Sequence, residues 1–256
     1  MSNNNLVTIH DNLDKLIESK RDAMPSNFNK TRFVQNCMVV LQDVKDIQKC
    51  NASSVARTLL KGAFLGLDFF NKECYAIIYG GQVQFQTDYK GEKKLAKKYS
   101  VRPIKDIYAK LVKEGDEFME EIIDGQQTIH FKPKPFNDGK VLGAFAVSLF
   151  QDGGLVYEGM SIKEIEETRK NYSKQSNGPA WTKSPGEMYK KTVLRRLCKN
   201  IELDFDTIEQ KQAFEDGGDL ELNKKKQVEQ DSPFNDNYID AEFEEVEEKT
   251  DEANQK

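Results

Sequence analysis

The chain has 256 residues, 38% hydrophobic and 32% charged, enough for one sizeable domain with part of the chain left outside any core. Its formal net charge of −5 hides a split: from Asp206 to Lys256 there are 17 acidic and 6 basic residues, a net of −11, which leaves +6 on the residues before them. No apolar run approaches the ~20 residues that span a bilayer, the opening "MSNNNLVTIHDNLDKL" lacks the basic and apolar blocks of a secretory signal, and four scattered cysteines with two histidines offer no zinc spacing.

A mildly basic body with an acidic tail points to a polyanion as partner of the body. Cys37, Cys50, Cys74 and Cys198 form no CxxC pair and read as reduced thiols of a cytoplasmic protein, packed as small apolar groups. In chain order, residues 1–27 are polar, with one short helix expected from Leu6 to Lys20, and read as an N-terminal arm. "KTRFVQNCMVVLQDV" carries Phe33, Val34, Cys37, Met38 and Leu41 at helical spacing. "NASSVARTLLKGAFLGLDF" predicts a second helix, with Ser53 or Ser54 as its cap and Gly66 at its end.

The period then changes to two. "CYAIIYGGQVQFQ" predicts a hairpin turning at Gly80-Gly81, where a tight type I′ turn needs left-handed backbone angles. That turn fixes the register: Tyr79 opposes Gln82, Ile78 Val83, Ile77 Gln84, Ala76 Phe85 and Tyr75 Gln86. One face is then Ala76, Ile78, Val83 and Phe85, an ordinary core face. The other sets aromatic rings beside long amides: Tyr75, Ile77, Tyr79, Gln82, Gln84 and Gln86. Such a face suits contact with a nucleic acid strand; it is also what a half-exposed sheet surface, or a surface covered by a neighbouring subunit, would show.

"GEKKLAKKYS" predicts a short basic helix, and strands are expected at Ile104–Lys113, Glu117–Ile123, Gln127–Lys132, Lys140–Phe150 and Leu155–Met160. Ser161 and Glu164 form a capping box that starts the helix of "SIKEIEETRKNY". Residues 173–186 read as a loop, and "EMYKKTVLRRLCKNIEL" as the last helix. The sum is an α+β protein, helices first, antiparallel hairpins in the middle and helices again. A body, residues 28–205, is followed by an acidic tail, 206–256, expected to be disordered or loosely helical.

The densest chemistry lies between Arg169 and Lys199, where nine basic side chains face a single acid, Glu187. Arg169, Lys170, Lys174, Lys183, Lys190 and Arg196 surround a stripe of Lys191, Arg195 and Lys199, four residues apart on one helix. Cations at about 6 Å intervals suit the phosphates of a strand. The single tryptophan, Trp181, stands in the loop at the mouth of that helix, placed either to stack on a base or to pack as an anchor. No GxxxxGK[ST] loop is present, so nothing supports ATP-driven chemistry. Asp68, Glu73 and Asp88 would have to converge for a metal-dependent nuclease, and no motif joins them.

Two strings carry a resemblance. "YGGQVQFQTDYKG" resembles the central signature of the RecT family of phage and prophage recombinases, and "WTKSPGEMYKKTVLRRL" resembles the family's second signature. Pro185-Gly186 departs from the acidic or polar residues expected ahead of that helix. The similarity covers roughly residues 28–205. It implies an ATP-independent protein, without enzymatic turnover, that coats single-stranded DNA as an oligomeric ring or helical filament and pairs it with a complementary strand. It also implies a partner exonuclease of phage origin, a bacterial host cell, and a fold like that of Red-beta: a bent antiparallel sheet crossed by helices, with DNA in a long positive groove. Carried onto this chain, the resemblance implies that Gln84, Gln86, Tyr89, Lys90, Lys183, Lys191 and Arg195 lie on or near that groove. No cofactor is implied; an effect of Mg2+ on annealing is not readable. A single-stranded DNA-binding protein that does not anneal is the alternative, with a nuclease behind it. The tail, where acids alternate with Phe234, Tyr238, Ile239 and Phe243, has three readings: docking on an exonuclease or a host single-strand-binding protein, covering the positive groove, or simply solubilising the chain.

Overall fold

The computed structural model describes residues 2–79, 82–173 and 176–218. Ile9, Leu13 and Ile17 recur every four residues along α1 (Ser2–Ser19), and all three are buried. What they meet is α2 (Lys30–Asp43) and α3 (Ala52–Leu65), whose Cys37, Leu41, Val55 and Leu59 join the same cluster. The expected arm is therefore part of the core: a helix with a complete apolar stripe lies down on any apolar surface within reach. Asn29 and Asn51, not a serine, cap α2 and α3, each accepting an N–H from three residues on. Gly66 ends α3 in the left-handed conformation, φ 65°, as its position after the last apolar residue predicted.

The hairpin follows. β1 (Cys74–Tyr79) and β2 (Gln82–Thr87) pair in the predicted register, from Tyr79 opposite Gln82 to Cys74 opposite Thr87; the Gly80-Gly81 turn lies outside the described residues. Val83 and Phe85 point into the core against α3. The strand then runs into α4 (Tyr89–Tyr99), capped by Asp88.

The remaining strands are antiparallel and open: β3 (Ile104–Lys113), β4 (Glu117–Ile123), β5 (Gln126–Lys132), β6 (Val141–Phe150) and β7 (Leu155–Ser161). They divide into a three-stranded sheet in the order β3-β6-β7 and a two-stranded ribbon of β4 and β5. The central β6 is buried for most of its length, which is why "VLGAFAVSLF", apolar but for Ser148, does not alternate. Phe118 and Phe131 of the ribbon pack on Phe145 from one side of this sheet. From elsewhere, α5 (Ile162–Tyr172) and α7 (Pro185–Asn200) pack on β6 and β7.

Two segments differ from expectation. The 173–186 loop contains a short helix, α6 (Pro179–Lys183), with Pro179 in its first position, where a missing N–H costs nothing. Residues 206–218, assigned above to a loose tail, hold α8 (Ile208–Asp216), whose Ala213 and Phe214 are buried against the body. The rest of the acidic tail lies outside the described residues. No helix among the described residues is long and apolar enough to cross a membrane.

Candidate nucleic-acid interface

The alternation of β2 sends Val83 and Phe85 inward, so Gln84 and Gln86 share the other face with Ile77 and Tyr75, their pairing partners. That face is closed at one end by the start of α4. Gly91 makes the approach possible, because a side chain there would overlap the carbonyl oxygen of Glu73. The same carbonyl accepts from Asp88 N at 2.9 Å, which locks the end of β2 onto the start of β1. Tyr89, in the first turn of α4, reaches across to β3, where its hydroxyl accepts from Ala109 N at 3.1 Å. Burial raises the phenol pKa above its ordinary value, so this oxygen stays protonated at neutral pH.

Opposite this face stand α6 and α7. Between the two walls runs a cleft of about 560 Å³. Tyr75, Ile77, Gln86, Tyr89 and Lys90 line one wall; Pro179, Trp181, Met188 and Lys191 line the other. The strings "YGGQVQFQTDYKG" and "WTKSPGEMYKKTVLRRL", far apart in the chain, thus face each other across one space. Asp88 and Glu187 also line it, but Asp88 caps α4 and Glu187 pairs with Lys190 at 2.6 Å. The cleft offers two ammonium groups, two phenol rings, an amide and several apolar surfaces.

Five of the sequence-predicted residues meet here: Gln86, Tyr89, Lys90, Trp181 and Lys191. Gln84 lies two residues along the strand from Gln86, half-buried, with its Oε1 lacking a hydrogen-bond partner. Trp181 is packed: its ring is 4% exposed, its Nε1 donates to Ser173 Oγ at 3.1 Å, and the Arg169 guanidinium lies 5.2 Å from the ring centre. It forms the wall of the cleft and offers no free face on which a base could stack. Lys183 is exposed at the end of α6, outside the cleft. Lys190 turns to Glu187, and Arg196, exposed, pairs with Glu158 at 2.8 Å. Lys174 lies outside the described residues.

Arg195 overturns the expected cationic stripe. The four-residue spacing is right, but the stripe's middle turns inward, because α7 has the sheet on one side and α4 on the other, with Phe214 of α8 reaching Arg195. Arg195 Nη1 holds both oxygens of Glu92, at 2.6 and 2.8 Å, and Nη2 donates to the Phe214 carbonyl at 2.6 Å. Both partners are buried, and the Phe214 ring lies 4.2 Å from the guanidinium. The Thr87 hydroxyl sits between Glu92 and the Gly217 carbonyl, while Thr87 N donates to that carbonyl at 2.8 Å. A small cavity lined by Thr87, Glu92 and Arg195 lies beneath Trp181, Met188 and Lys191. The ion pair is therefore the footing of the cleft wall, with no phosphate within its reach. Glu92 was missed by sequence reasoning although a signal was present. With Leu95, Ala96 and Tyr99 it completes the i, i+3, i+4, i+7 stripe of a basic helix, so its carboxylate had to face inward.

The carboxylates considered for a nuclease serve the fold. Asp68 accepts from Asn36 Nδ2 and Phe70 N, Glu73 pairs with Lys94 at 2.7 Å, and Asp88 is a cap. Among the described residues no three acidic, histidine or cysteine side chains are grouped to hold a metal ion.

A model of the RecT family matches residues 31–236, a span that includes both walls of the cleft. The chain belongs to the RecT family. Protein RecT of Escherichia coli (strain K12) is 28% identical to it over 205 residues, covering 76% of this chain and 75% of that protein. Membership makes this a DNA-binding recombination protein of the single-strand annealing kind. In this RecT-family chain the two strings that carry the likeness are those that build the cleft.

Proposed function

We propose that this chain binds single-stranded DNA along the cleft and anneals it to a complementary strand without nucleotide hydrolysis, working as an oligomeric ring or filament. The observation that carries the reading is the convergence of Tyr75, Gln86, Tyr89 and Lys90 with Lys191 around one open space. Annealing must accept any sequence, so the protein has to hold backbone and leave pairing edges open. Lys90 and Lys191 neutralise phosphates, the tyrosine rings and Ile77 cover sugars and flat base surfaces, and the buried Gln86 helps to form the wall behind them. Base pairing then supplies both recognition and driving free energy. One cleft of this size holds only a short length of strand, so neighbouring copies must continue the path.

The test mixes two complementary labelled oligonucleotides with the protein, without nucleotide and with a chelator present. Faster pairing is expected. Slowed pairing would make this a protecting single-strand-binding protein, and cleavage on adding Mg2+ would make it a nuclease. The acidic residues beyond 218 are proposed to dock a phage exonuclease or a host single-strand-binding protein in the bacterial cytoplasm. A chain lacking 219–256 should anneal oligonucleotides normally and lose that partner in a binding assay.

A further inference from the structure

Phe136 is fully exposed, at 101% of its reference area. A lone exposed apolar residue is ordinary. This one is held on a left-handed backbone, φ 51°, a conformation that bulky side chains rarely adopt. The loop around it is built tightly. Asn137 Nδ2 donates to the Glu114 carbonyl at 3.0 Å and to Asp116 Oδ1 at 2.7 Å. Gly139 N donates to Asn137 Oδ1 at 2.8 Å, Lys134 N to Asp116 Oδ1 at 2.9 Å, and the Lys113 ammonium to the Asn137 carbonyl. A side chain at Gly139 would press on the Glu114 carbonyl. Every local bond fixes the backbone, and none uses the ring. Such a ring is preorganised for something outside the chain.

Nucleic acid fits poorly. Of the charged side chains in this loop that the internal bonds leave over, Lys134 and Lys140 are balanced by Glu114 and Asp138, so there is no positive field for a polyanion. A second copy of this chain fits better, because the same molecule carries a receptacle. Pro25, Phe28, Phe33 and Leu67 line a cavity of about 250 Å³ whose lining also holds Arg32, 3.8 Å from Asp68 beside it, Lys94, paired with Glu73, and Lys98. Among the described residues no carboxylate lies within ion-pair distance of Lys98, which donates to the Tyr99 hydroxyl at 2.8 Å, and none of their cations pairs with Asp138 beside Phe136.

Ring and cavity lie at opposite ends of β3. Lys98 ends the helix whose Lys97 reaches the Lys105 carbonyl at the start of the strand, and Lys113 at its other end ties the Phe136 loop. Ten extended residues separate those ends by about 30 Å. A contact between two different surfaces this far apart repeats from copy to copy and builds rings or filaments, where a self-complementary contact would stop at a dimer.

We propose that Phe136 of one copy inserts into the Pro25–Phe28–Phe33–Leu67 cavity of the next and is the head-to-tail joint of the assembly. The inference rests on the assembly part of the proposed function. Light scattering on size-exclusion fractions, with a saturating oligonucleotide, tests it using two variants. Phe136→Asn removes the ring and suits the left-handed backbone, and Asn71→Trp, at an exposed lining position, blocks the cavity mouth. Each alone should be monomeric at concentrations where the wild type assembles, with its circular-dichroism melt unchanged. Mixed one to one they should form dimers and nothing larger, since only one intact joint is available. Assembly by either variant alone, or a mixture that stays monomeric or grows past dimers, overturns the proposal. So does a Phe136→Asn protein that assembles but loses oligonucleotide affinity, which would put the ring on DNA. A wild type that anneals as a monomer would instead sink the assembly reading itself.

Discussion

Lys191 and Arg195 stand one helical turn apart and have opposite surroundings. Lys191 lines the cleft, whereas Arg195 is locked to Glu92 below it. Alanine at each should therefore fail in different ways. Lys191→Ala should weaken oligonucleotide binding and reduce the slope of log K against log salt by about one, with an unchanged melting temperature. Arg195→Ala leaves the Glu92 carboxylate buried without its partner and strips the Phe214 carbonyl of a donor, which costs about 3–5 kcal/mol of stability. Protein that remains folded should keep the full salt slope. The double change Glu92→Gln with Arg195→Met removes both charges and should recover much of the melting temperature. An unaltered melt in Arg195→Ala, or a slope reduced as in Lys191→Ala, would return Arg195 to the DNA path. The spacing of these two residues was plain in the sequence; the direction of the second was not, because which face of α7 is covered depends on α4 and α8, which arrive from elsewhere in the chain.

Local elements were legible wherever one signal sufficed. Two glycines between alternating runs gave the hairpin its register, and Ser161 with Glu164 marked the start of α5, where both reciprocal capping bonds are present. α1 and α8 were misread for a common reason. Each is polar overall, and its burial depends on a few residues meeting a surface the sequence does not display: Ile9, Leu13 and Ile17 in α1, Ala213 and Phe214 in α8. α8 is also bonded by its end, through the Gly217 carbonyl to Thr87 and the Phe214 carbonyl to Arg195. Ending the chain at 218 and at 205 separates the two kinds of tail. A chain lacking 219–256 should melt as the full chain does. One lacking 206–256 uncovers Phe205, whose ring lies 5.3 Å from Phe214, takes the Phe214 carbonyl away from the buried Arg195–Glu92 pair, and should melt several degrees lower. Equal melts would mean that α8 contributes nothing to the body it covers.

Across the whole molecule, charge segregation and fold class followed from composition and period, while the cleft required the fold, since its walls come from segments that no local rule joins. The pH response is likewise a sum over distant sites. Asp106 is held below the ordinary carboxylate range by the Ile107 N–H, Asp116 by the Asn137 amide, Asp152 by the Gly154 N–H and Glu164 by the Ser161 N–H. Each binds its proton more tightly in the unfolded chain. Each therefore contributes stability that is present above its unfolded pKa, about 4, and is lost as pH falls through the lower folded value. Glu120 has the opposite sign: burial, then Glu158 and Glu164, raise its pKa, so its charge opposes folding at neutral pH and the opposition fades as pH falls through the raised value. Thermal melts between pH 7 and pH 3 should show a plateau down to about pH 5 and a steep fall below about pH 4. Glu120→Gln should melt higher than the wild type at pH 7, and the difference should shrink as pH falls through the raised value and be gone below the unfolded pKa, about 4. A wild-type melt that stays level to pH 3 would mean that the four carboxylate bonds do not hold in solution. A Glu120→Gln gain that persists in acid would mean that the gain does not come from removing the charge.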